Sequence, residues 1–176
     1  MTTISDPTIA PIAADLVACL TQEAAKVPNP PSATRVVCLR PGDRVDLLAS
    51  QTEDECCAGL MWVRWVRIYP SGTSFPSPDG TVSPCDVLRW AVRFELGAVR
   101  CSPVGTATTL PTCDDWEATT LGVMDDGAAI RRALCCYQQA NPDVLVLIDS
   151  GAPLTTEGGC TGVSYTVFIA ADSCDC

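Results

Sequence analysis

The chain has 176 residues, 47% of them apolar and 18% charged, a composition that suits one packed domain and excludes a fibrous or disordered polypeptide. Eleven Lys and Arg against 21 Asp and Glu leave a net charge of −10, so the average surface repels nucleic acid. The absence of histidine removes Ser/His and Cys/His nucleophile pairs and every zinc site built on imidazole, and most familiar enzyme classes go with them.

Asp6-Pro7 marks a helix start, and Ile9, Ile12, Leu16 and Leu20, flanked by Ala13 and Val17, recur on one helical face. The helix must stop near Val27, because Pro28-Asn29-Pro30-Pro31 lacks backbone donors. Arg35 to Leu39 reads as a strand, turned by Pro41-Gly42-Asp43, with a second short strand expected from Val45 to Leu48. Gly59 to Tyr69 is rich in β-branched and aromatic residues and apolar on both faces, so it predicts a strand that wants cover on both sides. Pro76, Pro78, Gly80 and Pro84 then mark a long loop at about 70–85, the kind of segment that often faces a partner.

The clearest periodicity follows. Leu88, Trp90, Val92, Phe94 and Leu96 alternate with Arg89, Ala91, Arg93 and Glu95, the pattern of a half-buried strand. Thr112 precedes Asp115 at capping-box spacing, with Asp114, Asp115 and Glu117 in a first turn that favours negative charge. From there Trp116, Val123, Ile130, Leu134 and Tyr137 hold a helical stripe to about Gln139 across Gly122 and Gly127, which predicts one long helix or two abutting ones. After Asn141-Pro142, Val144 to Ile148 suits a short buried strand. Gly151 to Gly162 reads as a hairpin tip or wide loop, and Val163, Tyr165, Val167 and Ile169 as a last strand. The order predicts an α+β fold over residues 1–176, a single domain whose mostly antiparallel sheet is covered on one side by an N-terminal helix and a long helix in the C-terminal half. Its edges and second face then need protection, for which ring assembly is one solution.

Twelve cysteines stand at 19, 38, 56, 57, 85, 101, 113, 135, 136, 160, 174 and 176. None are spaced C-x-x-C, and Cys56-Cys57, Cys135-Cys136 and Cys174-Asp175-Cys176 do not match metal knuckles, so no metal site is expected. Met1 to Pro7 shows no basic start and no apolar run, so synthesis in a reducing cytoplasm is expected, with most cysteines as small buried hydrophobes and some pairs oxidised after release from the cell. No stretch reaches the ~20 apolar residues that cross a bilayer.

The acidic clusters Glu53-Asp54-Glu55, Asp114-Asp115 with Glu117, and Asp125-Asp126 fit solvated, structural roles better than cation binding. Gly158-Gly159-Cys160-Thr161-Gly162 lacks the Lys-Ser/Thr ending of a phosphate loop, and Lys26 is the only lysine in the chain, so a tight turn is expected there. Cys160 as a catalytic thiol would need an unusual base. The arginines at 64, 67, 89 and 93 fall in the two strongest strands and Arg131-Arg132 on the long helix. They suit cross-strand or inter-subunit ion pairs rather than a stripe for base stacking. Accordingly no catalytic, cofactor-binding or metal-ligating residue is expected.

The opening helix, the alternating strand Leu88 to Leu96, the long helix closing on Ala133-Leu134-Cys135-Cys136 and the Gly158-Gly159-Cys160-x-Gly162 turn before Tyr165-Thr166-Val167 together resemble the tail terminator proteins of long-tailed, non-contractile bacteriophages, in their cysteine-rich actinobacteriophage form. The resemblance implies an α+β structural protein with no enzymatic activity. Such a protein would be made in the host cytoplasm and reside in the virion neck as a ring of six copies that caps the tail tube and meets the head-to-tail connector. It implies the tail tube protein and the connector as partners, and an acidic lumen through which double-stranded DNA slides without specific binding. A bond from Cys160 to Cys135 or Cys136 would pin the hairpin to the helix end. Two other readings stand beside this one: a head-to-tail stopper or adaptor of the same neck, and a secreted, disulfide-stabilised binding module. A thiol-dependent enzyme is a third.

Overall fold

The computed structural model describes residues 6–28, 36–42, 59–105, 108–157 and 159–172. It contains helix α1 (Ile9–Ala24), strands β1 (Val36–Arg40), β2 (Leu60–Ser71) and β3 (Arg89–Cys101), helix α2 (Cys113–Ala140), and strands β4 (Val146–Glu157) and β5 (Cys160–Asp172). The strands form one sheet in the order β1-β2-β3-β5-β4. Only the β1–β2 pair is parallel, and the other three are antiparallel. The fold is therefore α+β with a mostly antiparallel sheet. The strand expected from Val45 to Leu48 lies outside the described residues.

Both helices cover the same face of the sheet. Asp6 Oδ1 accepts from the backbone N–H groups of Thr8 and Ile9 at 2.8 and 2.7 Å, satisfying two donors that the first turn of α1 leaves unpaired. Leu16 and Leu20 are then fully buried against Met61, Val63, Val92, Phe94 and Leu96 of the sheet and Ile130, Ala133 and Leu134 of α2. Each such Leu, Ile or Phe contributes about 2–3 kcal/mol by leaving water. The alternation of Trp90, Val92, Phe94 and Leu96 holds and continues to Ala98, all five packing on the helix side, whereas Leu88 precedes the strand and is exposed.

At the start of α2, Thr112 Oγ1 accepts from Asp115 N at 3.2 Å and Asp115 Oδ2 accepts from Thr112 N at 2.8 Å, a complete capping box. One uninterrupted helix of 28 residues follows, about 42 Å long. Gly122 and Gly127 do not break it, because both face the sheet side and are buried there. Trp116 does not join the buried stripe. Residues 113–118 are all exposed, and the helix begins to pack only at Gly122.

Three expectations need correction. Val144 to Ile148 is not a buried strand: Val144 and Leu145 precede β4, and Val146 to Ile148 open it as an exposed edge strand on which Leu147 and Ile148 are 42% and 51% accessible. Most of Gly151 to Gly162 is strand rather than loop, since β4 runs to Glu157 and β5 begins at Cys160. Pro153 is tolerated because an edge strand needs its donors on one side only. Finally, β2 is buried on both faces only from Leu60 to Arg64. A bulge between Trp65 and Arg67 shifts its register, and Trp65, Val66 and Arg67 are exposed. The proline-rich loop does not project freely either. Tyr69 Oη donates to Pro76 O at 2.7 Å, Ser71 Oγ to Ser77 O at 2.8 Å and Asp79 N to Pro70 O at 3.0 Å, folding it back on the end of β2.

Candidate functional site: the outer sheet face and the projecting helix

The face of the sheet opposite the helices divides along the strands. Toward the end of β3 a second apolar cluster joins Leu60, Trp62, Val99 and Cys160, with Cys38 and Leu154 against it. Gly97 admits the Trp62 indole, since a Cβ at that position would lie 2.1 Å from the ring. Beside it, Glu95 accepts from Trp62 Nε1 at 3.0 Å and from Arg64 Nε and Nη2 at 3.2 and 2.8 Å, while Arg64 Nη1 donates to Gly42 O at 3.1 Å. This is the cross-strand ion pair that the sequence suggested.

Toward the start of β3 the same face turns basic and open. Arg67 and Arg93 are direct partners in the β2–β3 register, and Arg89 lies on the same side four residues before Arg93. The Arg67 guanidinium lies 5.2 Å from the centre of the Tyr69 ring and that of Arg93 5.7 Å from the centre of Phe168, within cation–π range. Burial raises the Tyr69 phenol above its ordinary pKa, an effect the nearby Arg67 and Arg93 oppose. Arg93 also meets Asp149 of β4 at 3.6 Å. Sequence reading missed this interleaving of arginines with aromatics. Its signal was the period-two placement of Arg67 with Tyr69 and of Arg89 with Arg93, but the neighbour Phe168 arrives only through the sheet order.

Among the acidic clusters, Glu53-Asp54-Glu55 lies outside the described residues. Asp114 and Glu117 are exposed on the first turns of α2, and the backbone N–H of Thr112 holds the Asp115 carboxyl below its ordinary pKa. Asp126 is not solvated. It is 1% exposed and pairs with Arg100 Nε at 2.8 Å, joining α2 to β3. Gly122 makes room for that arginine, as a Cβ there would sit 1.9 Å from Nη1. The signal for Asp126 was its position four residues before Ile130 on the buried stripe. Glu23 likewise is 6% exposed and bridges Lys26 and Arg132, the latter at 2.9 Å. The Lys26 hydrogen bond, helped by Arg132 and opposed by burial, holds its pKa below the ordinary 4.5. Arg131 instead meets the Tyr165 hydroxyl and lies over its ring.

The cysteines do not follow the suggested pairing. Cys136 is bonded to Cys19, with Cα atoms 5.8 Å apart, which ties α2 to α1 rather than to the hairpin. Cys85 and Cys160 are also disulfide-bonded, so Cys160 is no catalytic thiol in this form, and Cys135 is a free, exposed thiol. The hairpin turn places Gly159 at φ 76°, a left-handed conformation suited to glycine, and its carbonyl accepts from Ser102 N at 2.7 Å. No cluster of three or more His, Cys, Asp or Glu positioned for a metal occurs among the described residues. Among them, no helix is long and apolar enough to cross a membrane.

Clefts among the described residues include two of similar size and a smaller one of about 250 Å³ beside Asp15 and Tyr137. One of about 540 Å³ lies between 101–104, 109–111 and the first turns of α2, and one of about 530 Å³ lies between the start of α1 and the β1 edge, lined by Ile9, Ala13, Leu39 and Trp65. The first is lined by Cys101, Ser102 and Asp115 among others, but the Asp115 carboxylate is engaged in the Thr112 cap. What the molecule does present is uncovered apolar surface: Leu145, Leu147 and Ile148 at the β4 edge, and Trp116, Leu121 and Met124 on the far side of α2. No family model and no curated protein matches the chain.

Proposed function

We propose that the protein is a structural component of a bacteriophage neck, a ring-forming tail terminator that caps the tail tube and meets the head-to-tail connector. The observation that carries this reading is the one-sided architecture. Helices cover one face of the sheet, while a 12-residue edge strand, the basic end of the outer face and the first turns of α2 stay exposed with large apolar residues on them. Such surfaces are costly in a solitary protein and are ordinary at subunit interfaces. The excess of acidic groups suits a channel that DNA traverses without adhering.

Native mass measurement of the purified full-length protein over a range of concentrations tests the reading. A closed ring, six copies by the resemblance, is expected. A monomer that persists at high concentration overturns it.

The disulfides favour a second reading, a secreted binding module, because such bonds form and persist in oxidising compartments. The two separate on the thiol state of freshly made protein in the cytoplasm. A neck protein is functional there with Cys19 and Cys136 reduced, whereas a secreted module is not.

A further inference from the structure

The start of β3 and the start of α2 carry opposite charge at opposite ends of the molecule. On the outer face, Arg67 stands directly across from Arg93, an arrangement in which like charges repel. Of the three guanidiniums, that of Arg93 alone has an ion-paired carboxylate among the described residues, Asp149. Asp172, the register partner of Arg89, is beyond ion-pairing distance, and among the described residues no carboxylate pairs with Arg67 or Arg89. The Nε of Arg93 is shielded from solvent without a hydrogen-bond partner. Tyr69, Phe168 and Leu147 form an apolar floor around these arginines.

The first turns of α2 are the counterpart. From Cys113 to Ile130 the helix has no Lys or Arg, and its exposed residues include Asp114, Glu117, Trp116, Leu121 and Met124. This end lies beside Arg100 and Ser102, at the far end of β3 from Arg93, a separation of about 23 Å along the strand. A patch and its complement at opposite ends of one chain can be joined reciprocally about a two-fold axis or head to tail from copy to copy. The ring reading selects the second, because repeated head-to-tail contacts are the ones that close into rings.

We infer that the projecting end of α2 of one copy docks on the Arg67/Arg89/Arg93 face of the next, with Asp114 and Glu117 pairing with the arginines and Trp116 meeting the floor of Tyr69 and Phe168. This inference rests on the ring reading. The competing route, pairing along the β4 edge, is weaker: Pro153 offers no backbone donor, and register breaks between Ile148 and Ser150 and between Leu154 and Glu157 interrupt the ladder.

The test is charge reversal in the full-length protein, read by native mass and light scattering. Arg67→Glu with Arg89→Glu removes the two arginines that pair with no carboxylate among the described residues, and Asp114→Arg with Glu117→Arg reverses the helix while Asp115 keeps its cap. Each pair of substitutions is expected to raise the concentration for half-assembly at least tenfold, with the monomer's thermal unfolding unchanged by the arginine pair and lowered slightly by the helix pair, which puts positive charge at a helix N-terminus. All four together, or an equimolar mixture of the two proteins, restore assembly. If the wild type forms rings and both reversed proteins form them equally well, this interface is wrong and the ring reading survives. A wild type that stays monomeric ends both. Binding of a DNA duplex that is lost with Arg67→Glu and Arg89→Glu, while assembly is unaffected, also overturns the inference and assigns the face to phosphate.

Discussion

On the helix side of β3, Val92, Phe94 and Leu96 are fully buried and Ala98 nearly so, whereas on the outer side the same strand presents Arg89, Arg93 and Glu95. The first side is closed by the chain itself, with α1 and α2 interlocking over it and Cys19–Cys136 joining them. The second is closed only near its Trp62 and Cys160 end. One strand thus separates a surface that holds the monomer together from a surface that is free to hold something else. Period two makes this possible, because alternate residues answer to independent environments.

Substitutions that respect this division are expected to separate stability from association. Phe94→Ala should cost about 4 kcal/mol in denaturant unfolding, because it leaves a cavity among Leu16, Leu20 and Ile130. An equal loss on truncating Phe168, on the open face, would break the distinction. Reducing the Cys19–Cys136 bond, which spans 117 residues, should cost up to about 5 kcal/mol by freeing the unfolded chain. Circular dichroism and urea titration with and without reductant check it, using Cys19→Ser with Cys136→Ser to separate this bond from those of Cys85 and Cys160.

Smaller effects should appear at the pH extremes, again from the helix side. Burial pushes the Tyr137 phenol up to about 12 from an ordinary 10.0. The neutral phenol's contribution is therefore complete below pH 10 and lost as pH rises toward 12. Tyr137→Phe should flatten that alkaline fall in stability. Glu23 has the opposite sign. Its lowered pKa means that its contribution is complete above the ordinary 4.5 and lost as pH falls through the folded-state value. Glu23→Gln should reduce the acid sensitivity of urea unfolding without changing the alkaline limb.

How much of this was legible depended on whether the signal was local. The alternation through Trp90, Val92, Phe94 and Leu96 and the Thr112–Asp115 cap are short-range patterns, and both appear in the structure as the sequence had them. The length of β4 was hidden because Gly151 and Pro153 are depleted in strands and read as punctuation, and only pairing with β5 makes them strand. The parallel β1–β2 pair carries no local mark. The Cys19–Cys136 bond depends on two helices meeting 117 residues apart, and spacing alone does not choose among the pairings of twelve cysteines. For the open face, the arginines were visible but their aromatic companions were not, since Phe168 reaches Arg93 through the placement of β5 beside β3.

Gly122 has a consequence for direction. The Arg100 side chain passes through the space that any Cβ at that position would fill, and it ends on Asp126 one turn further along. Rolling the helix about its axis would swing Leu121 or Val123 into the guanidinium, and sliding it would part the charges. A single absent methyl therefore works as a keyway, so that the overhang from Cys113 to Leu121 leaves the body at one fixed bearing, like the arm of a signpost, before any neighbour arrives to meet it.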